Sequence, residues 1–168
     1  MTTLLPRRDP KGFQTPPSSL DAATLDGARD IIESVRTRGD NALRECITKF
    51  EQRRGDPLLL GPEALKEAAN RLPRPQLELL ERTAERIRRF AEAQRACITP
   101  LSLPIPGGEA GHTLAPIEKA ACYAPGGRFP LPSSVLMTAV TARAAGVEQV
   151  WVVTPSSDDV MLAAAAVA

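Results

Sequence analysis

The sequence predicts an α/β protein, with a helical N-terminal region followed by a β-α-β-α unit that carries an incomplete parallel sheet. Three observations lead there. Between Asp21 and Gln94 apolar residues recur at helical spacing, and after Pro116 the texture changes to short alternating runs around a single helix. Between the two lies Ile98 to Pro116, with four prolines and three glycines, which reads as a connection holding one short strand around His112.

Residues 1–19 are rich in Pro, Thr and Ser without a period, and are expected to form a flexible arm. The helical region spans 20–97. Asp21 to Arg38 reads as a helix stopped by Gly39, and Asp40 can cap the next one, where Leu43, Cys46, Ile47 and Phe50 fall at i, i+3, i+4, i+7 as a buried stripe. Pro62 suits a first turn, and Leu65, Ala68, Ala69 and Leu72 repeat the spacing until Pro73. Pro75 starts the longest helix, with Leu77, Leu80, Ala84, Ile87 and Ala91 on its inner face. On its outer face Glu78 with Arg82, and Glu85 with Arg89, stand in the favourable i, i+4 order.

The connection covers 98–118 and the α/β part 119–168. Lys119 to Ala124 reads as a strand, Ser133 to Ala145 as a helix ended by Gly146, and Val147 to Val153 as a second strand. Ser156 opens a last helix in an S-x-x-D arrangement with Asp159. Two strands joined by a helix of this length should lie parallel, which leaves the sheet short of neighbours.

A chain of 168 residues can remove about 70 % of its unfolded surface from water, enough for one core. With 21 Lys and Arg against 20 Asp and Glu, the net charge of +1 gives no electrostatic reason for a nucleic acid or anionic membrane partner. The arginines between Arg71 and Arg89 alternate with acids and lack interleaved aromatics, as on a solvated helix face. The apolar run that includes Met161 to Ala168 is far too short to span a bilayer; with no secretory h-region, a cytoplasmic protein is expected. Cys46, Cys97 and Cys122 are far apart without C-x-x-C spacing and read as free thiols, Cys46 and Cys122 being buried.

The stretch from Tyr123 to Met137, Y-A-P-G-G-R-F-P-L-P-S-S-V-L-M, reads as a strand end, a glycine turn and an approach to a helix opened by Ser133 and Ser134. Open α/β sheets bind ligands at the carboxyl ends of their strands, so Pro125, Gly126 and Gly127 fit a ligand loop as well as a plain turn. Tyr123 offers a stacking face and one polar tip, suiting a ligand or a core edge alike. His112, the chain's single histidine, reads as exposed or hydrogen-bonded, and with three scattered cysteines it makes no zinc set.

That stretch, together with A-P-I-E-K-A-A-C-Y-A-P-G-G before it and T-A-R-A-A-G-V-E-Q-V-W-V-V-T-P after it, resembles the histidinol dehydrogenase family. V-R-T-R-G-D-N-A-L (Val35 to Leu43) and A-E-R-I-R-R-F-A-E-A-Q (Ala84 to Gln94) extend the resemblance backward over nearly the whole chain, which matches the N-terminal two-fifths of such enzymes. The resemblance implies a truncated Rossmann-like unit and an NAD- and zinc-dependent oxidation of L-histidinol to L-histidine through the aldehyde, in histidine biosynthesis. It further implies a cytoplasmic homodimer, with the catalytic pair and the zinc ligands downstream of the part matched here. By the same resemblance Tyr123 contacts the cofactor, Pro125, Gly126 and Gly127 line its site, and Ser133 and Ser134 cap the helix whose N–H groups meet phosphate. The chain departs from the family pattern at Leu131, Thr141 and Ala144. The alternative expectation is a non-catalytic, truncated paralogue acting as a binding or dimerisation module.

Overall fold

A computed structural model describes residues 21–50, 57–126 and 129–168; the N-terminal arm expected for residues 1–19 lies outside them. The chain forms two units, Met1–Asp56 and Pro57–Ala168.

In the first unit, α1 (Ala22–Arg38) and α2 (Asp40–Phe50) form a helical pair. The Asp21 carboxylate caps α1 by accepting from the Thr24 N–H at 2.6 Å, and that bond holds its pKa below the usual carboxylate value. The Gly39 N–H closes the helix on the Val35 carbonyl. The stripe expected on α2 is corrected here. Leu43 and Phe50 are exposed, Cys46 and Ile47 half-buried, and the buried residue is Ala42. Two helices enclose too small a volume to take in four large side chains.

The second unit holds α3 (Pro62–Arg71), α4 (Arg74–Ala96), β1 (Leu101–Ile105), β2 (Gly108–His112), β3 (Lys119–Tyr123), α5 (Pro132–Ala144), β4 (Gln149–Val153) and α6 (Asp159–Val167). The periodicity of α4 is borne out: Leu80, Ala84 and Ala91 are buried, with Leu77 and Ile87 half-buried beside them. Its outer ion pairs differ from expectation. Glu78 binds Arg74 at 2.8 Å and Glu85 binds Arg88 at 3.0 Å. On an exposed helix such alternatives differ by a few tenths of a kcal/mol at most.

The connecting segment holds two strands where one was expected. Leu101 pairs with His112 and Ile105 with Gly108 in an antiparallel hairpin closed by Pro106 and Gly107. Gly107 has φ 88, the conformation a Pro-Gly turn requires at its second central position. Pro104 is tolerated because a two-stranded ribbon has only edges.

β3 and β4 pair in parallel, Ala121 beside Trp151 and Tyr123 beside Val153. Helix α5 packs on both strands and on α4 and α6, and α6 packs on α3. The core joins Leu80 and Ala84 of α4, Val135, Leu136 and Val140 of α5, and Met161, Ala163 and Ala164 of α6. Arg71 and Asp159 add a bidentate ion pair between α3 and α6, at 3.0 and 2.6 Å. At its far end α5 closes with a Schellman pair, Gly146 N–H to Arg143 O and Val147 N–H to Ala142 O, and Arg95 of α4 donates to the Ala144 carbonyl. Val147 therefore belongs to the helix stop, and β4 begins at Gln149.

Two expected helix starts also move. Helix α5 begins at Pro132 with Leu131 in the cap position, which puts Ser133 and Ser134 inside the first turn instead of capping it. Proline's fixed φ favours the first helical position, and that sets the boundary. Helix α6 begins at Asp159 after Asp158, not at Ser156. The Ser156 hydroxyl is engaged earlier, donating to the Asp158 carboxylate at 2.8 Å and accepting from the Asp158 N–H at 3.3 Å. Asp159 meanwhile turns to Arg71.

Candidate functional site

The parallel pair brings the carboxyl ends of β3 and β4 side by side, and the chain leaves both strands on the same rim. The ladder runs on past Tyr123, since the Ala124 N–H donates to the Val153 carbonyl at 2.9 Å. Ala124 is buried, and Pro125 and Gly126 are half-buried just beyond it. Opposite them the loop after β4 carries Thr154, Pro155 and Ser156, where the Ser156 N–H donates to the Thr154 hydroxyl at 3.2 Å.

The two loops come close at Gly126 and Pro155. A Cβ on Gly126 would run into the Pro155 ring, so glycine is required there by close approach. Tyr123 stands at the strand end with 63 % of its surface exposed, its ring open to a ligand. Gly127 lies outside the described residues. Ser133 is exposed and Ser134 half-buried in the first turn of α5; the Ser134 N–H binds the Leu131 carbonyl and its own carbonyl accepts from the Thr138 hydroxyl. No side chain caps that helix and no acid lies in its first turn, so the positive end of its dipole is not neutralised locally.

The Pro-Gly-Gly turn drew attention to the first loop in the sequence, and nothing there drew attention to the second. The signal available was positional: Thr154 to Ser156 follow the end of a strand parallel to β3, where the same rule places a ligand. A groove of about 520 Å³ lies elsewhere, among α3, α4 and the end of α6, lined by Lys66, Leu77, Glu81, Ala84 and Val167. None of the residues named above reaches it.

His112 is exposed on the hairpin, its Nε2 3.0 Å from the Thr99 carbonyl. Cys122 is buried in β3, Cys46 half-buried and Cys97 exposed. Among the described residues no three His, Cys, Asp or Glu side chains converge as a metal site would need, so these residues do not fit zinc. No helix among them is long and apolar enough to cross a membrane.

The arrangement, two strand-end loops that approach closely at Gly126, an exposed aromatic and a helix start without a side-chain cap, has the chemistry a nucleotide-like ligand can use. The profile of the histidinol dehydrogenase family matches residues 16–168. Histidinol dehydrogenase of Methanococcus maripaludis is 39 % identical over 126 residues, which cover 75 % of this chain and 30 % of that protein. The Prochlorococcus marinus enzyme is 40 % identical over 133 residues, 77 % of this chain and 29 % of that one. A histidinol dehydrogenase homolog of Mesorhizobium japonicum is 35 % identical over 136 residues, 80 % of this chain and 27 % of that protein. The crystal structure of histidinol dehydrogenase from Elizabethkingia anophelis superimposes with a TM-score of 0.78 at 22 % identity, over 90 % of this chain and 36 % of that chain, a likeness of fold. The chain thus spans about 30 % of the length of the curated relatives it matches, consistent with their N-terminal portion. With the family profile matching residues 16–168 and relatives about 40 % identical over three quarters of the chain, it belongs to the histidinol dehydrogenase family.

Proposed function

We propose that this chain supplies the N-terminal, cofactor-side part of a histidinol dehydrogenase, an NAD-dependent enzyme that oxidises L-histidinol to L-histidine through the aldehyde in histidine biosynthesis. NAD, when bound, accepts hydride. The residues of this chain bind and orient it. Tyr123 stacks on or hydrogen-bonds one end of the dinucleotide, and Pro125, Gly126 and Gly127 let backbone approach it. Ser133 and Ser134 bring the uncompensated start of α5 toward its phosphates. The observation that carries this reading is the close approach of the two strand-end loops, where Gly126 leaves no room for a side chain against Pro155 while Tyr123 stays exposed.

Zinc ligands and the groups that move protons belong, on this reading, to polypeptide beyond the part matched here. The working enzyme is a cytoplasmic homodimer. The test is a titration of NAD into the longer protein with and without Tyr123→Ala. Weakening by roughly tenfold or more, about 1.4 kcal/mol, is expected, and unchanged affinity refutes the assignment. A second reading, a non-catalytic binding or dimerisation module, is favoured by the apolar surface that the second unit leaves exposed, Trp151 and Val153 included. It requires a folded oligomer that turns over no histidinol when NAD and zinc are supplied.

A further inference from the structure

The short run from β4 to α6 is held by its own side chains. Thr154, Pro155 and Ser156 are half-buried there, and Ser157 and Asp158 are exposed. The Ser156 N–H donates to the Thr154 hydroxyl at 3.2 Å. The Ser156 hydroxyl donates to the Asp158 carboxylate at 2.8 Å and accepts from the Asp158 N–H at 3.3 Å. One serine thus ties the end of β4 to the start of α6, and Pro155 lies within that bracket.

Helix α6 gives something up for the bracket. Asp158 stands in its N-cap position with extended backbone, yet the carboxylate makes no cap bond. An aspartate there ordinarily accepts from a first-turn N–H and stabilises the helix, whereas this one turns back to the loop. The loop in turn presses on its neighbour. A Cβ added at Gly126 would meet the Pro155 ring, with Pro155 Cβ and Cδ at 3.4 Å. That ring is closed on its own backbone nitrogen, so fixing the backbone between Thr154 and Ser156 fixes the ring as well. On the other side, the Ala124 N–H bound to the Val153 carbonyl holds the loop of Gly126 to the same strand ends.

We propose that Ser156 is a positioning residue for the dinucleotide site: bound to Thr154 on one side and Asp158 on the other, it holds Pro155 against Gly126 and so sets the separation of the two strand-end loops. The inference rests on the cofactor reading above and adds to it a residue that acts through Pro155, without touching NAD itself. A loop held in the bound geometry beforehand loses less freedom when the ligand arrives, so the bracket strengthens cofactor binding and leaves the chemical step alone.

The test has one arm with NAD and one without. In the complete enzyme, Ser156→Ala should raise the KM for NAD about three- to tenfold and keep kcat within about twofold, the split expected when binding is lost and chemistry kept. Ser156→Thr, which retains the hydroxyl, and Ser157→Ala, at the exposed neighbour, should both stay within about twofold of wild type. In this chain without NAD, the urea midpoint drop caused by Gly126→Ala should shrink by about half in the Ser156→Ala background, because a released Pro155 can give way. Three results overturn the proposal: a KM unmoved by Ser156→Ala in an enzyme whose KM Tyr123→Ala raises, a Ser156→Thr enzyme as impaired as Ser156→Ala, or an undiminished Gly126→Ala drop in the Ser156→Ala background. A KM moved by neither Tyr123→Ala nor Ser156→Ala, with the urea coupling present, refutes the cofactor reading and the positioning role with it.

Discussion

Gly126→Ala tests the close approach of the loops after β3 and β4. The added Cβ would lie well inside van der Waals contact with Pro155 Cγ, with Pro155 Cβ and Cδ both at 3.4 Å. Ordinary carbon contacts need roughly 3.5 to 4.0 Å, so the loops after β3 and β4 must separate by on the order of 1 Å. The struck group is a ring fixed to its own backbone and cannot swing aside as the tip of a long side chain would. Overpacking of this kind costs about 1–3 kcal/mol, and the half-buried setting of both residues favours the lower half of that range. Urea unfolding followed by Trp151 fluorescence should then show a midpoint lowered by about 0.5–1 M with an unchanged slope, for a slope of about 2 kcal/mol/M. Pro155→Ala removes the colliding atom, so in the double variant much of the loss from Gly126→Ala should return, as a coupling of about 1 kcal/mol. Strictly additive single effects would refute the loop contact. On the function proposed above, Gly126→Ala alone should also weaken NAD binding several-fold in the complete enzyme.

Leu136→Ala and Met137→Ala compare adjacent residues of α5, one turned into the core and one toward solvent, at 1 % and 64 % exposure. The first should cost about 3 kcal/mol and the second under about 0.5 in denaturant unfolding, and similar costs would mean the buried face is misassigned. Asp159→Asn tests the α3–α6 clamp through pH. The hydrogen bond from Arg71 holds the Asp159 carboxyl below its usual value, so its stabilising contribution is complete above about pH 4 and disappears as pH falls through the lower folded-state value. The melting temperature of Asp159→Asn should therefore fall below wild type at pH 7 and converge with it as pH falls through that lowered value; a gap independent of pH would assign the effect to packing.

The helices and the parallel pair were legible because burial there is one-sided and periodic. Leu80, Ala84 and Ala91 face inward at the spacing read from sequence, and β3, α5 and β4 follow in the expected order. The hairpin was not, because all ten of its strand residues are exposed and Pro104 argues locally against a strand. Both misread helix starts trace to competition among good capping residues. Pro132 outranked Ser133 and Ser134, and Ser156 spent its hydroxyl on Asp158. At the candidate site the loop with Gly126 announced itself by composition. Its neighbour Pro155 could be placed only by long-range pairing, 29 residues further along, which no local pattern records.

The contact between α3 and α6 is built from residues that have almost nothing left to remove. Ala68 on one side and Ala163 and Ala164 on the other are completely buried, and all are already at methyl size. Nearly every substitution there adds volume, so evolution can push these helices apart but cannot draw them closer. The spacing sits at a floor, and with Arg71 and Asp159 clasped at its rim, drift in this part of the family has to be absorbed by the larger side chains of α4 and α5.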